Sequence, residues 1–240
     1  MSYNFLFAVQ IGRIHRLYVC SVLRLRTLIV KIMAEKIEIS LTDFIGFVNK
    51  MGSAKLSHVR KIKDRPEYEH YMDFYKPIRE AILKLHKNNE GKEVLDTLLL
   101  HLSDDKKKNN YPALINGYKK FLGRKKFEWV KPPKKDWKVG DVVITVNPEL
   151  GLEEKKKDGS SNFYIVKLYF KEEPLKKAQA SQILTLMGMQ LRSKVNEPEI
   201  KFAILDVRRS KFHIKHDQEL KELPLLLGEA QSFATMWKSM

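Results

Sequence analysis

The chain has 240 residues, 43% of them hydrophobic, which is enough to bury a substantial core as one large domain or two small ones. Its 45 lysine and arginine residues outnumber its 29 aspartate and glutamate residues, so the formal net charge is +16. Its one cysteine, Cys20, excludes an intramolecular disulfide framework and favours a reducing compartment, so we expect a cytoplasmic protein.

The positive charge predicts an acidic partner. A net charge far from zero creates a field that attracts polyanions, of which RNA or DNA is the first candidate and an anionic membrane surface the second. The alternative explanation is that the excess lysine side chains form a solvated coat that keeps the protein soluble.

The first 32 residues form a basic leader with no acidic residue. Arginine and histidine interrupt its apolar runs, so it holds no uncharged span of about 20 residues for a transmembrane helix, and we expect no stable membrane insertion. The leader also lacks the pattern of a signal peptide, although its arginine content fits organelle targeting. Met33 begins a segment typical of a translation start. We expect translation to begin there, which removes five positive charges from +16 and leaves +11.

Helical periodicity dominates residues 33–130, which we predict to be a helical region. Ser40 followed by Asp43 is typical of a helix start, because a hydroxyl caps the first turn and an acid lies near the positive end of the helix dipole. Residues 104–108 are predicted to be a charged loop. The other predicted helices cover residues 54–63, the segment from Pro77 to 87, residues 94–102 and residues 111–122.

Basic and aromatic residues are interleaved in this region, a mixture that can stack bases and hold phosphates. The alternative is that the aromatic rings belong to the core and the charges are solvated. The candidate nucleic-acid-binding residues are Lys55, Arg60, Lys61, Tyr75, Lys76, Arg79, Tyr118, Lys119 and Lys120, together with Gln182 from a later helix.

Residues 131–240 are predicted to form a mixed region that follows a linker-like segment at 131–135. The pattern predicts an α+β fold, in which a helical N-terminal half precedes a strand–strand–helix–strand core with a packed C-terminal helix. The predicted elements are strands at 142–152 and 163–170, a helix at 175–191, a strand or hairpin at 200–214 and a helix at 225–237.

No motif for a bound cofactor stands out. The sequence lacks the Walker-type phosphate loop, the GxGxxG pattern and the GxSxG pattern. His213 and His216 would point to opposite faces of a strand, which argues against a zinc site. We therefore expect no cofactor. Metal-assisted phosphodiester chemistry remains, for which carboxylates would hold Mg²⁺ and a lysine would steady charge.

The strand–strand–helix–strand order over residues 140–214 resembles the core of PD-(D/E)XK nucleases, the restriction-endonuclease-like fold. Residues 142–149 are similar to that family's acidic strand, and residues 163–167 to the strand that carries its catalytic lysine. The resemblance implies that Glu149 would be the Mg²⁺ ligand and Lys167 the catalytic lysine, with Glu80 as an acid from a preceding helix. Gln182 matches a glutamine that some exonuclease branches place on the next helix. The family's second carboxylate lies two residues before the lysine, where this chain has Ile165.

A second resemblance, to a bacterial family without an assigned activity, covers residues 33–237. It rests on residues 73–80, 146–152, 167–171 and 228–233, and it implies one co-evolving unit but no mechanism. Three hypotheses follow. The first is a nucleic-acid-binding protein, including an inactive nuclease-like fold. The second is a divergent Mg²⁺-dependent nuclease, and the third is a protein-interaction module that uses its C-terminal helix or a helical groove. The sequence leaves open whether the protein is an enzyme.

Overall fold

The computed structural model describes residues 36–66, 73–195, 197, 199–215 and 220–240. The basic leader, the start expected at Met33 and His216 lie outside the described residues. Residues 38–240 form one compact unit. Within the described ranges, no helix is both long enough and apolar enough to cross a membrane.

Seven α-helices lie in the described part of the chain, and five of them precede the strands of the larger sheet. They are α1 (Leu41–Val48), α2 (Ser53–Lys63), α3 (Lys76–Lys87), α4 (Val94–Leu100), α5 (Asp105–Leu122), α6 (Lys177–Leu191) and α7 (Leu223–Lys238). Short 3-10 turns cover Arg192–Lys194 and Leu220–Glu222. This sequence of elements, together with the strands below, confirms the predicted α+β class.

The strands of the described residues form two sheets. They are β1 (Ile37–Ser40), β2 (Glu128–Val130), β3 (Lys135–Val139), β4 (Val142–Val146), β5 (Leu150–Lys155), β6 (Ser161–Tyr169), β7 (Lys201–Asp206) and β8 (Lys211–Lys215). The smaller sheet has the order β1-β4-β3, and the larger has the order β2-β5-β6-β7-β8. The larger sheet is antiparallel except for β6 and β7, which are parallel and are connected through α6. A parallel pair requires such a crossover because a short turn cannot join its ends.

Helix α1 begins where the sequence predicted. The Ser40 hydroxyl accepts a hydrogen bond from the Asp43 N–H (3.0 Å), which satisfies a backbone donor that has no partner within the helix. The Ser40 hydroxyl in turn donates to the Asp43 carboxylate (2.8 Å). This cap holds Asp43 in the first turn, from which it reaches the cleft described below.

Helix α5 begins six residues before the predicted position, Tyr111. Asp104 takes the N-cap position, and its side chain accepts from the Lys107 N–H (3.1 Å). The prediction of a loop at 104–108 was wrong because an aspartate cap followed by Asp105 favours a helix start, whatever the number of lysines that follow.

The strand predicted at 142–152 is two strands in different sheets. β4 ends at Val146 and belongs to the smaller sheet, whereas β5 begins at Leu150 and belongs to the larger one. Pro148 lies between them and has no N–H to offer to a sheet ladder. The chain therefore leaves one sheet at this point and enters the other, and Glu149 lies at the crossing.

Helices α3, α4 and α5 cover one face of the larger sheet. Side chains alternate between the faces of a strand, so Tyr164, Val166 and Leu168 of β6 join the helical core, while Ile165 and Lys167 point to the other face. Helix α6 packs near β7 on that second face. The predicted helical region and the predicted mixed region thus share one apolar core, which positions the end of β6 between two layers of helices.

The C-terminal helix packs as predicted. Ala230 and Phe233 of α7 are buried, and the Phe233 ring contacts the Phe47 ring of α1 edge to face, with centroids 5.0 Å apart. Leu226 is also buried, whereas Leu227 is exposed, which corrects the predicted face by one residue. The helix contacts β3 and β4 of the smaller sheet.

Candidate functional site

A cleft of about 1010 Å³ opens at the end of β6. Its walls combine residues of α1, α3 and α6 with residues that follow β2, β4 and β6. Among the described residues, the lining holds six cationic side chains, Arg65, Arg79, Lys87, Lys131, Lys167 and Lys171, and three carboxylates, Asp43, Asp73 and Glu149. Positive charge is therefore in excess within this concave surface.

Glu149 and Lys167 form an ion pair at the base of the cleft. The Lys167 Nζ donates to Glu149 Oε1 (2.5 Å) and to the carbonyl of Asn147 (3.0 Å). The second carboxylate oxygen of Glu149 accepts from the Leu168 N–H (2.8 Å). The two side chains are only 12% and 15% exposed. The resemblance pointed to both residues, and the structure brings them together.

The third member of the predicted set, Glu80, does not join them. Its side chain is 59% exposed, pairs with Lys76 on the surface of α3 (3.6 Å) and does not line the cleft. The position two residues before Lys167 is Ile165, which is 2% exposed and apolar. Glu149 is therefore the one carboxylate beside Lys167 among the described residues that line the cleft.

The side chains around Lys167 do not fit the Mg²⁺ ion that the nuclease resemblance implies. A protein site for Mg²⁺ supplies carboxylate oxygens that are free to bind the ion. Both oxygens of Glu149 accept hydrogen bonds, one from an ammonium group and one from the backbone. No group of three or more metal-binding side chains occurs in the part of the chain that the structure describes.

Two arginine–aspartate pairs line the upper parts of the cleft. Arg65 binds Asp43 through two nitrogens (3.0 and 3.1 Å), and Arg79 binds Asp73 (2.7 Å). Burial by itself raises the pKa of the Asp43 carboxyl. The hydrogen bonds from Arg65 and Ser40 lower this pKa by more than burial raises it, so the net pKa lies below its ordinary value. The Asp43 carboxylate therefore stays ionised, and each aspartate holds its guanidinium group in a defined orientation.

Three lysines supply the excess charge. Lys87, Lys131 and Lys171 are exposed, and none of them forms an ion pair with a carboxylate of the described residues. The Lys87 ammonium lies over the Trp129 ring, 5.4 Å from its centroid. These three groups are available to an anionic ligand without the loss of an existing ion pair.

Aromatic rings also line the cleft. Tyr75 stacks on Phe170, with ring centroids 5.3 Å apart and an interplanar angle of 17°. Burial raises the pKa of the Tyr75 hydroxyl, so it remains protonated at neutral pH. Trp129 and Tyr169 are partly exposed. The cleft thus presents rings and cations side by side.

Of the residues predicted to bind nucleic acid, Tyr75 and Arg79 line the cleft. Lys76 lies beside them at the start of α3. Arg60 and Lys61 are exposed on α2, outside the cleft, and Lys120 is exposed on α5. The structure therefore places part of the predicted set together and spreads the rest over other surfaces.

The other predicted contacts already have protein partners. Lys55 pairs with Glu229 of α7, and Lys119 pairs with Asp96 of α4. These ion pairs link α2 to α7 and α5 to α4.

Two predicted contacts lie inside the protein. Tyr118 is fully buried and its hydroxyl lies 2.6 Å from His86 Nε2, so its ring offers no face to a nucleic acid. Gln182 is 5% exposed and accepts from the Asn49 side chain (2.7 Å), which ties α6 to the end of α1. Tyr118 was predicted from the local mixture of basic and aromatic residues and Gln182 from the nuclease resemblance, and neither kind of evidence shows which side of a helix is covered.

The sequence reasoning missed seven cationic or aromatic residues of the cleft, namely Arg65, Lys87, Trp129, Lys131, Tyr169, Phe170 and Lys171. A signal for some of them exists. Basic and aromatic residues are interleaved over 124–131, as they are around Tyr75, and the end of this stretch overlaps the linker-like segment predicted at 131–135. Its role depends on β2, a three-residue strand that periodicity cannot predict.

No protein-family model matches the chain, and no curated protein matches it significantly.

Proposed function

We propose that this protein binds nucleic acid in the cleft, through the phosphate backbone. The observation that carries the proposal is the excess of six cationic side chains over three carboxylates within one concave surface. A concave, low-dielectric surface with an excess of positive charge focuses the electrostatic field and raises the local concentration of anions. The net charge of +16 attracts the same class of ligand over longer distances.

The arrangement of the cations supports phosphate binding in two ways. Arg65 and Arg79 are held in place by their aspartate partners, and a fixed guanidinium fork can bind phosphate oxygens with little loss of side-chain entropy. Lys87, Lys131 and Lys171 contribute mobile point charges, which suit a backbone whose phosphates need no exact register.

The salt dependence of binding tests the proposal. Labelled DNA and RNA oligonucleotides would be titrated with the protein between 50 and 200 mM salt. We expect the logarithm of the affinity to fall with the logarithm of the salt concentration with a slope of about −2 to −4, because a few phosphates are neutralised. If neither nucleic acid binds at the lowest salt concentration, the proposal is wrong.

A pair of triple variants locates the site. Lys87→Gln/Lys131→Gln/Lys171→Gln removes the three lysines of the cleft. The control, Lys126→Gln/Lys156→Gln/Lys157→Gln, removes the same charge from residues outside the cleft lining, two of which, Lys156 and Lys157, lie at the β5–β6 hairpin, roughly 20 Å from Lys167 along β6. We expect the first triple to weaken binding at least tenfold and to make the salt slope shallower by about 2 to 3, with a smaller effect from the control. Equal losses would show that the cleft is not the site.

Metal-dependent cleavage is a second candidate, because Glu149 and Lys167, the two residues that the nuclease resemblance implies, both line the cleft. The element order β5-β6-α6-β7 is also the order that the nuclease resemblance implies. Glu149 is the one carboxylate beside Lys167 among the described residues of the cleft, and both of its oxygens already accept hydrogen bonds, so cleavage ranks below binding. An assay with Mg²⁺ or Mn²⁺ and a Glu149→Ala control tests it.

A further inference from the structure

Trp129 differs from the other two tryptophans of the chain in what surrounds it. Trp137 is buried and its ring contacts the Phe44 ring, with centroids 5.8 Å apart. Trp237 is also partly exposed and has Lys63 over its ring (5.5 Å), but it stacks on Phe233, with centroids 5.9 Å apart, and does not line the cleft. Trp129 is partly exposed and lines the cleft.

The position of Trp129 follows from its strand. It is the middle residue of β2, the edge strand of the larger sheet, and it lies directly opposite the buried Leu152. Its ring therefore points to the face covered by α3, where Lys87 lies over it at 5.4 Å. Lys131 follows two residues later and also lines the cleft. An indole with one lysine over its ring and a second lysine two residues along the same cleft wall combines a surface on which a base can stack with charges that bind the flanking phosphates.

The depth of the cleft limits the form of nucleic acid that can use it. Its volume of about 1010 Å³ lies at the upper end of the range for pockets that enclose one drug-sized ligand, so it holds about one to three nucleotides. Lys167 at its base is only 15% exposed. In a duplex the bases are stacked and paired inside the double helix, so no base face is free to meet a side chain in a recess.

We infer that the cleft takes single-stranded nucleic acid in preference to duplex, and that one base stacks on the Trp129 indole. The neighbouring phosphates then contact Lys87 and Lys131. This inference rests on the proposed function, since it names the form of nucleic acid that the same cleft binds. Stacking is tolerant of sequence because every base has a flat face, so the preference is for strandedness and not for a base.

The fluorescence of Trp129 tests the contact directly. The variant Trp137→Phe/Trp237→Phe leaves Trp129 as the one tryptophan of the full chain. It would be titrated at low salt with a twelve-residue oligothymidylate, with the matching oligouridylate and with a hairpin duplex of equal phosphate number. We expect saturable quenching by the single strands, with an affinity at least tenfold higher than that for the duplex.

Two substitutions in the native chain complete the test. Trp129→Leu removes the aromatic face and should weaken single-strand binding about tenfold, whereas Trp129→Phe should retain most of the affinity. Duplex affinity should change less than twofold in either variant, and thermal unfolding would confirm that both variants fold.

The outcomes separate this inference from the proposed function. Equal affinity for single strand and duplex, or Trp129 fluorescence that does not respond to a bound single strand, would overturn the inference and leave phosphate binding in place. Absence of binding to every probe would overturn both.

Discussion

Glu149 and Lys167, 18 residues apart in sequence, meet at 2.5 Å where the chain passes from the smaller sheet to the larger one. The Glu149 N–H donates to the Val166 carbonyl (3.1 Å), and its side chain accepts from the Leu168 N–H. The carboxylate thus continues the ladder between β5 and β6 beyond the end of the strand. At the base of the cleft, Glu149 is therefore held by two hydrogen bonds to the backbone of β6 and by the Lys167 side chain.

We expect Lys167→Met to lower the free energy of unfolding by about 2 kcal/mol, because it leaves the Glu149 carboxylate largely buried without a cation. Glu149→Gln should cost less, since an amide oxygen can still accept from Leu168. Urea unfolding of both single variants and the double variant would give the coupling energy between the side chains. A coupling energy under about 0.5 kcal/mol would show that the pair behaves as an exposed surface pair.

The same contact predicts the outcome of a cleavage assay. Because Glu149 is the one carboxylate beside Lys167 among the described residues of the cleft, and each of its oxygens already accepts a hydrogen bond, we expect no Mg²⁺- or Mn²⁺-dependent cleavage of single-stranded or duplex DNA or RNA. Products would be followed on denaturing gels. Cleavage that disappears in Glu149→Ala and in Lys167→Met would contradict this expectation and would make the nuclease the better description of the site.

A substitution at Gly117 of α5 tests how closely the helical layer packs against the sheet. A Cβ atom at this position would lie 2.0 Å from the carbonyl oxygen of Val207, at the turn between β7 and β8. We expect Gly117→Ala to destabilise the protein by about 3 kcal/mol, because the helix would have to move away from the backbone.

The matched control for this substitution is Gly228→Ala in α7. No atom lies within 4 Å of a Cβ placed there, so the gain in helix propensity should stabilise the protein by about 0.5 to 1 kcal/mol. Thermal or urea unfolding of the two variants compares them. Equal effects would mean that α5 does not approach the sheet as closely as described.

Protonation of the buried His86 is expected to destabilise the protein in mild acid. It is buried in the helical core next to Tyr118, and burial lowers the pKa of its imidazole from 6.5 to about 4. A base whose pKa is lower in the folded state than in the unfolded state stabilises the fold above pH 6.5, and this contribution is lost as the pH falls from 6.5 towards 4. We expect His86 to account for about 2 kcal/mol of stability lost between pH 7 and pH 5.

Urea unfolding at the two pH values would measure this loss, and His86→Gln would remove the part that comes from the imidazole while keeping a polar partner for Tyr118. Titration of the His86 resonances by NMR gives the pKa directly. A value near 6.5 in the folded protein would contradict the prediction.

Local sequence patterns predicted much of the fold because they report the periodicity of burial. The Ser40 cap, the helix after Pro77 and the apolar alternation around Lys167 each depend on neighbours within a few residues. The charge excess, which is a property of composition alone, predicted an anionic partner. Lys167 and Glu149 were selected through a family resemblance and were found together in one cleft.

Tertiary structure decided the rest, because the deciding contacts join residues far apart in sequence. Local patterns could not show that Pro148 divides a continuous apolar run between two sheets, or that the covered side of α5 includes Tyr118. They placed Lys131 in a linker, although pairing between β2 and β5 brings it and Trp129 to the cleft. Composition determines that the protein is basic and that it can bury a core. Only packing determines which cations remain free to meet a ligand, since an ion pair requires two side chains that the sequence does not place together.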